Sequence, residues 1–325
     1  MIVKSRGVPQ IIQVLKALLP RLDKNHPKRN QLQQQLDRRL AGLRGEESLD
    51  YYLGYLDEQK YFILHDLRLA NGPHFFQIDT LLLTTQFAVI LEVKNIAGKI
   101  IFDLEAEQLI RTLDNEQQGF HDPLSQLEFQ LSQLKKWLTE KKCPALPLEG
   151  FVVISSDRTI YSVSNQDKEA YRKICHAYAI LKRLIRLEKF HNNEVMTLKE
   201  VQRMYKLLVK HHQPLTINVQ KHLGVSTAEI RTGVQCPECE FLPMHYGYGY
   251  WHCEICHHKT KNAHLNVLKD YSLLITSTIT NSEFRRFLHV PTLHMANHKL
   301  RSLQLPYIGE GKQRKYDITH IKHPD

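Results

Sequence analysis

The sequence has no apolar run approaching the roughly eighteen residues that a membrane-spanning helix needs. Its start, Met1 to Pro20, lacks a compact apolar stretch followed by a small-residue cleavage site. The expectation is a cytoplasmic protein with no membrane partner. Cysteine is scarce, six in 325 residues, so a disulfide scaffold is excluded. Acidic residues are in deficit: 34 Asp and Glu stand against 44 Lys and Arg, a formal charge of +10. That balance suits a polyanionic partner and equally suits ordinary solubility. The excess is uneven, because Met196 to Asp325 holds 17 basic and 10 acidic residues, an excess of seven. The C-terminal part is therefore the better candidate for docking a polyanion. At 42% hydrophobic and 24% charged, the chain is neither disordered nor fibrous, and its length suits two or three domains.

The first forty residues are basic and polar, with an amphipathic stretch around Ile11 to Leu19, and predict one or two peripheral helices. From Gly45, the residues Glu46, Leu49, Leu53 and Leu56 fall on one helical face. Glu47 and Asp50 lie off that face and read as solvated. Four segments rich in β-branched and aromatic residues follow: Tyr61 to Leu69, Phe75 to Thr84, Phe87 to Asn95 and Lys99 to Phe102. Turn residues separate them, and the pattern predicts an antiparallel meander. Pro123 then opens a helix with a leucine stripe, and Phe151 to Ser155 is a further strand. Helix, strands, helix, strand describe an α/β sandwich. Tyr171 to Phe190 reads as helical, and Thr197 with Glu200 forms a capping-box start for another helix.

The chemistry concentrates in the strands. Alternation sends Val89, Leu91 and Val93 to one face and Ala88, Ile90, Glu92 and Lys94 to the other. A tight turn near Thr85-Gln86 lays the preceding strand alongside and brings Asp79 towards Glu92. Two carboxylates so placed suit Mg²⁺, a hard ion held by one or two carboxylates, waters and substrate phosphate. Lys94 beside them suits orienting or deprotonating a metal-bound water. A plain Glu92–Lys94 ion pair on a solvated strand is the alternative.

Gly45-Glu46, His65-Asp66-Leu67, Gln77-Ile78-Asp79 and Glu92-Val93-Lys94-Asn95 with Gly98 resemble, in order and spacing, the nuclease-related domain (NERD) of the bacillus type over about Leu43 to Ser155. That domain is considered a member of the PD-(D/E)xK nuclease superfamily. The resemblance implies a restriction-endonuclease-like core, a mixed sheet flanked by helices, and the site residues Glu46, Asp79, Glu92 and Lys94. Ile78 replaces the proline that names the superfamily. Gln77 reads as a substrate-binding amide. In the later helix Gln126 and Gln130 either line the site, as such a Gln often does in the superfamily, or face solvent. Glu46 either approaches the site or serves the helix start, where negative charge is favoured.

Cys236-Pro-Glu-Cys239 and Cys253-Glu-Ile-Cys256, thirteen residues apart, supply four thiolates in two knuckles, the ligand set of a closed structural Zn²⁺ site. A redox dithiol pair is the alternative. Phe241 to His252 has room for a short hairpin, as in a zinc ribbon. Tyr246, Tyr248, Tyr250 and Trp251 either stack on bases or form the ribbon's own core. After the cysteines, Thr280 with Glu283 caps a short helix, Thr292 to about Leu303 makes a second, and Tyr307 to Ile318 a basic hairpin, together a winged-helix pattern. Arg285, Arg286, Lys312, Arg314 and Lys315 are its candidate nucleic-acid contacts, with the second helix in the major groove.

The expected order is an N-terminal helical extension (1–40), a NERD nuclease-like domain (41–190), a helical connector (191–232), a zinc ribbon (233–262) and a winged-helix-like tail (263–325). The expected function is Mg²⁺- or Mn²⁺-dependent hydrolysis of DNA phosphodiester bonds, with structural Zn²⁺. The alternative is an inactive DNA-binding or scaffolding protein on a nuclease-like fold. Nothing in the sequence reads a 2′-hydroxyl, so RNA stays open as a substrate. Oligomeric state is unknown from the sequence.

Overall fold

A computed structural model describes residues 1–319 and 321. The chain divides into two compact units, one of Met1–Val8 and Arg39–Leu215, the other of Pro9–Arg38 and Thr216–Asp325. In chain order, strand β1 (Ile2–Lys4) precedes helices α1 (Gln10–Leu18) and α2 (Arg29–Leu53). Strands β2 (Phe62–Asn71), β3 (His74–Leu83), β4 (Ala88–Lys94), β5 (Lys99–Asp103), β6 (Gln108–Leu113) and β7 (Glu116–His121) follow. Helix α3 (Pro123–Glu140), strands β8 (Leu148–Ile154) and β9 (Ile160–Val163), helix α4 (Lys168–Lys173) and strand β10 (Ile174–His176) come next. Helices α5 (Ile180–Phe190) and α6 (Leu198–His211) complete the first unit.

The first unit is built on a mixed six-stranded sheet in the order β1-β2-β3-β4-β8-β10. Strands β2, β3 and β4 are antiparallel neighbours, while β8 runs parallel to β4 and β10 parallel to β8. Parity within β4 explains its double burial. Ala88 and Ile90 pack with Leu127, Leu134 and Trp137 of α3 and with Met204 and Leu208 of α6. Val89, Leu91 and Val93 pack on the opposite face with Leu49 and Leu53 of α2 and Ile180 and Leu184 of α5. A sheet covered by helices on both faces is the mixed α/β core expected above.

Three local expectations are corrected. The meander stops at β4, and β5 turns away into a second sheet of order β7-β6-β5-β9. Gly98 makes that turn at φ +99°, where a Cβ would lie 2.6 Å from the Thr112 carbonyl oxygen. The β6–β7 hairpin was not expected, although Asp114 and Asn115, both at positive φ, form the tight turn that these residue types favour. Tyr171 to Phe190 is not one helix: Ile174 and Cys175 are buried in β10, paired with Val152 and Val153. The N-terminus also supplies a strand, β1, parallel to β2.

Alternation shifts by one residue in β2 and β3 at the same place. Phe62 and Leu64 share a core with Leu67 and Leu69 in β2, as do Phe76 and Ile78 with Leu81 and Leu83 in β3. The pairing register holds throughout, with His65 opposite Thr80 and Leu67 opposite Ile78. The break therefore falls at Asp66, whose φ is +49°, and at the facing Asp79.

In the second unit, helix α7 (Val219–Leu223) precedes strands β11 (His245–Gly247), β12 (Tyr250–His252) and β13 (Lys259–Thr260), which form a three-stranded antiparallel sheet. Helix α8 (Ala263–Leu274), strand β14 (Thr278–Thr280), helices α9 (Asn281–Leu288) and α10 (Leu293–Ser302), and strands β15 (Tyr307–Ile308) and β16 (Lys315–Asp317) follow. Strands β14, β16 and β15 form one sheet, and the element order is that of a winged helix. The expected Thr280/Glu283 capping box is present, as is the Thr197/Glu200 box at α6. Trp251, Val234 and Met244 share one core with Val267, Phe284 and Leu300, so the cysteine-bearing ribbon and the winged helix are packed as one body. Helix α1, packed on α8, belongs to this unit. Buried Arg21 ties its end to Asp270 at 2.9 Å and to the carbonyls of Arg231 and Gly233. Among the described residues, no helix is long and apolar enough to cross a membrane.

Candidate metal centre and nucleic-acid interface

Glu92 and Lys94 leave β4 on the face covered by α3. Asp122 starts that helix, accepting hydrogen bonds from Leu124 N and Ser125 N, with Pro123 in its first turn. The start sets Gln126 and Gln130 one turn apart on one face. Lys94 Nζ donates to Glu92 Oε1 at 2.7 Å and to Gln126 Oε1 at 2.9 Å. Gln130 Nε2 donates to Glu92 Oε2 at 2.7 Å and to the Gln77 carbonyl at 3.0 Å. Both oxygens of Glu92, a side chain 2% exposed, thus have a donor. Such a buried carboxylate is tolerated only with partners of this kind.

Thr80 pairs with Leu91, so Asp79 and Glu92 occupy the next facing register position. Asp79 Oδ2 accepts from Val93 N at 3.1 Å. Burial, then Glu92 and Glu46, push the Asp79 carboxyl well above its ordinary range, while Val93 N and Lys94 pull the other way. Asp79, Glu92, Glu46 and Lys94 are therefore electrostatic neighbours. Gln77 is brought near only through its backbone, its side chain being exposed. Gln133, also on α3, is engaged elsewhere, its Oε1 accepting from Asn71 Nδ2 at 2.7 Å. Gln130, only 3% exposed, does not face solvent, whereas Arg6 is the residue at this site that the sequence did not announce. Gln130 Oε1 is buried and has no hydrogen-bond partner.

Glu46 reaches the same region because α2 passes close over β4 and β8. A Cβ on Gly45 would lie 2.5 Å from Asn95 Cβ and 2.8 Å from Ser155 Oγ, so glycine permits the approach at a cost of about 0.5–1 kcal/mol to the helix. Helix α2 begins at Arg29, so Glu46 sits far inside it and has no role at a helix start. Burial lifts its carboxyl to about 7, Arg6 opposing and Asp66 and Glu92 adding to the rise.

Asp50, expected in solvent, is instead engaged. Arg6 Nε and Nη2 hold its two oxygens at 3.2 and 3.1 Å. Arg6 also bonds Glu46, Thr80 Oγ1 at 3.2 Å and His65 Nδ1 at 2.9 Å. His65 is buried, and burial with Arg6 beside it lowers its pKa to about 4, so it is neutral at pH 7.

In the second unit, Cys236, Cys239, Cys253 and Cys256 converge, with all four sulfurs within 4.8 Å of one another. The Cys236–Cys256 and Cys239–Cys253 sulfur separations are 3.5 Å. A tetrahedron of Zn–S bonds of about 2.3 Å has edges of roughly 3.8 Å, so four thiolates in this arrangement fit zinc. Among the described residues this is the one group of three or more such ligand atoms that close together. Glu46, Asp79 and Glu92 are thus more open than a closed three-ligand cage.

The aromatic residues of the ribbon separate into two roles. Trp251 is fully buried, with the Tyr246 ring at 4.6 Å, whereas Tyr248 is fully exposed and Tyr250 is partly so beneath Lys261. On the winged helix, Arg286 and Lys315 are exposed. Arg285 donates to the Pro291 carbonyl at 3.1 Å, and Arg314 lies 4.1 Å from the Tyr307 ring centre. The side chain of Lys312 lies outside the described residues.

No curated protein and no solved structure matches the chain. Residues 41–155 match the family model described as the nuclease-related domain, NERD. The chain therefore carries a nuclease-related domain, over the stretch that supplies Glu46, Asp79, Glu92, Lys94, Gln126 and Gln130.

Proposed function

We propose that the first unit hydrolyses phosphodiester bonds of DNA with Asp79 and Glu92 holding Mg²⁺ or Mn²⁺. The observation that carries this reading is a shortage of positive charge. Glu46, Asp50, Asp66, Asp79 and Glu92 are met by Lys4, Arg6 and Lys94, five carboxylates against three cations. The difference of two is what a divalent ion supplies, and burial beside other carboxylates is what raises the carboxyls of Asp79 and Glu46. The carboxylates of Asp79 and Glu92 offer hard oxygens, and a hexacoordinate ion taking two carboxylates completes its shell with water and phosphate.

Bound there, the ion supplies neutralisation of phosphate charge and acidification of a water. Lys94, fixed by Glu92 and Gln126, orients the attacking water. Gln130 fixes Glu92 with its amide nitrogen. Glu46 assists from α2. In the second unit, the cysteine set holds a structural Zn²⁺ that folds the ribbon, and Arg286, Arg314 and Lys315 contact the phosphate backbone.

The test is nicking of supercoiled plasmid with Mg²⁺ by the full chain and by Glu92→Ala. Loss of about a hundredfold or more in the variant supports the reading. Equal cleavage by the two refutes it. No cleavage by either, with DNA binding intact by fluorescence anisotropy, replaces it with a binding or scaffolding role on a nuclease-like fold. Cleavage of RNA alone changes the substrate.

A further inference from the structure

We propose that Arg6 is a positioning residue of this site, acting through Glu46; the inference rests on the metal-dependent reading above. Arg6 lies outside residues 41–155, two residues beyond β1, the edge strand of the sheet. Its side chain is only 6% exposed, yet it is bonded to groups from three other elements: Glu46 and Asp50 of α2, His65 of β2 and Thr80 of β3.

The fork is divided in a way that suggests a purpose. Nε and Nη2 grip Asp50, leaving Nη1 for Glu46 one helical turn earlier. Asp50 thus anchors the guanidinium, and the guanidinium sets where the Glu46 carboxylate stands. Strand β1 is itself pinned, since Lys4 Nζ donates to the His65 carbonyl at 2.7 Å. Left alone, Glu46 would face Asp66 and Glu92, both of which oppose its charge. A guanidinium beside it keeps a carboxylate in a place from which its neighbours would otherwise drive it. Lysine at this position keeps the charge and loses the fork.

Arg6 also competes with the metal, being a fixed cation in the same acidic basin. Its removal therefore has opposite consequences for binding and for chemistry. In Arg6→Gln, Mn²⁺ affinity by calorimetry is expected to be no weaker than in the wild type. Plasmid cleavage at saturating Mn²⁺ is expected to fall about tenfold or more, the usual effect of removing a group that orients a site residue. Glu46→Gln is expected to show a similar loss, and the double variant no further loss, because both changes remove one device.

Mn²⁺ affinity and cleavage falling together would mark Arg6 as a structural staple and overturn the proposal. Unchanged cleavage, or losses that multiply in the double variant, would do the same. Should Arg6→Gln not fold, Arg6→Lys with Glu46→Gln carries the same cycle. Failure of the parent reading is told apart by Glu92→Ala: if that variant binds Mn²⁺ and cleaves as the wild type does, the metal assignment fails whatever Arg6 does.

Discussion

Gly45→Ala sets two effects of opposite sign against each other. Position 45 lies inside a continuous helix, where exchanging glycine for alanine ordinarily stabilises by about 0.5–1 kcal/mol. Here the new methyl would meet Asn95 Cβ at 2.5 Å and Ser155 Oγ at 2.8 Å. Neither is the far end of a flexible chain, so α2 must lift from the ends of β4 and β8. Overpacking of that kind costs roughly 1–3 kcal/mol, which outweighs the propensity gain at all but its low end. The expected net destabilisation is about 0–2.5 kcal/mol, and because the displaced turn carries Glu46, cleavage falls more than stability does. The two tryptophans allow a clean assay, Trp137 being buried in the first unit and Trp251 in the second. In a Trp251→Phe background, urea unfolding followed by Trp137 fluorescence reads the first unit alone. A Gly45→Ala protein more stable than its parent, with full cleavage activity, would refute the close-approach reasoning.

Gln130→Leu leaves one oxygen of buried Glu92 without its donor and is expected to lower plasmid cleavage about 10- to 100-fold, with a lowered urea midpoint as the second readout. Asp79→Asn is expected to stabilise the metal-free first unit at pH 8. The folded-state carboxyl is raised, so its contribution to stability is complete below the unfolded value and lost as pH rises through the folded one. The gain from Asn must therefore vanish towards pH 4, and urea midpoints across that range check it. Cys253→Ser, or chelation of the wild type, is expected to remove about one equivalent of zinc and to loosen the core around Trp251. Structural zinc is coupled to folding by about 10–16 kcal/mol, and released metal with Trp251 fluorescence is the measurement.

What the sequence made legible were features whose cause is local. Ligand spacing alone identifies the cysteine site, and the capping boxes at Thr197 and Thr280 need only residues three apart. Parity in β4 separates Glu92 from Val93 because that strand alternates without interruption. Elsewhere the determinants are distant. Arg6 finds Glu46 and Thr80 across 40 and 74 residues, and no pattern near Arg6 announces either contact. Asp50 looked solvated because its partner comes from another element. The coincident shift at Asp66 and Asp79 is invisible to period-two counting, since both strands change phase together. Strand β5 was misassigned to the meander because a single glycine redirects it after a run that reads like its neighbours.

The threefold passage of the chain between its two units bears on how this protein can be dissected. A fragment cut at the limits of the family match would begin at Ala41 and end at Ser155. It would lack the edge strand β1 and the Arg6 that follows it, strand β10, and the helices whose Ile180, Leu184, Val201 and Met204 close the two cores. Removing the first 38 residues would injure both halves at once, since Arg6 is lost from one and Arg21 with its Asp270 bridge from the other. Homology boundaries and folding boundaries differ in this molecule, and a truncated protein that fails to cut DNA would say more about where it was cut than about its chemistry.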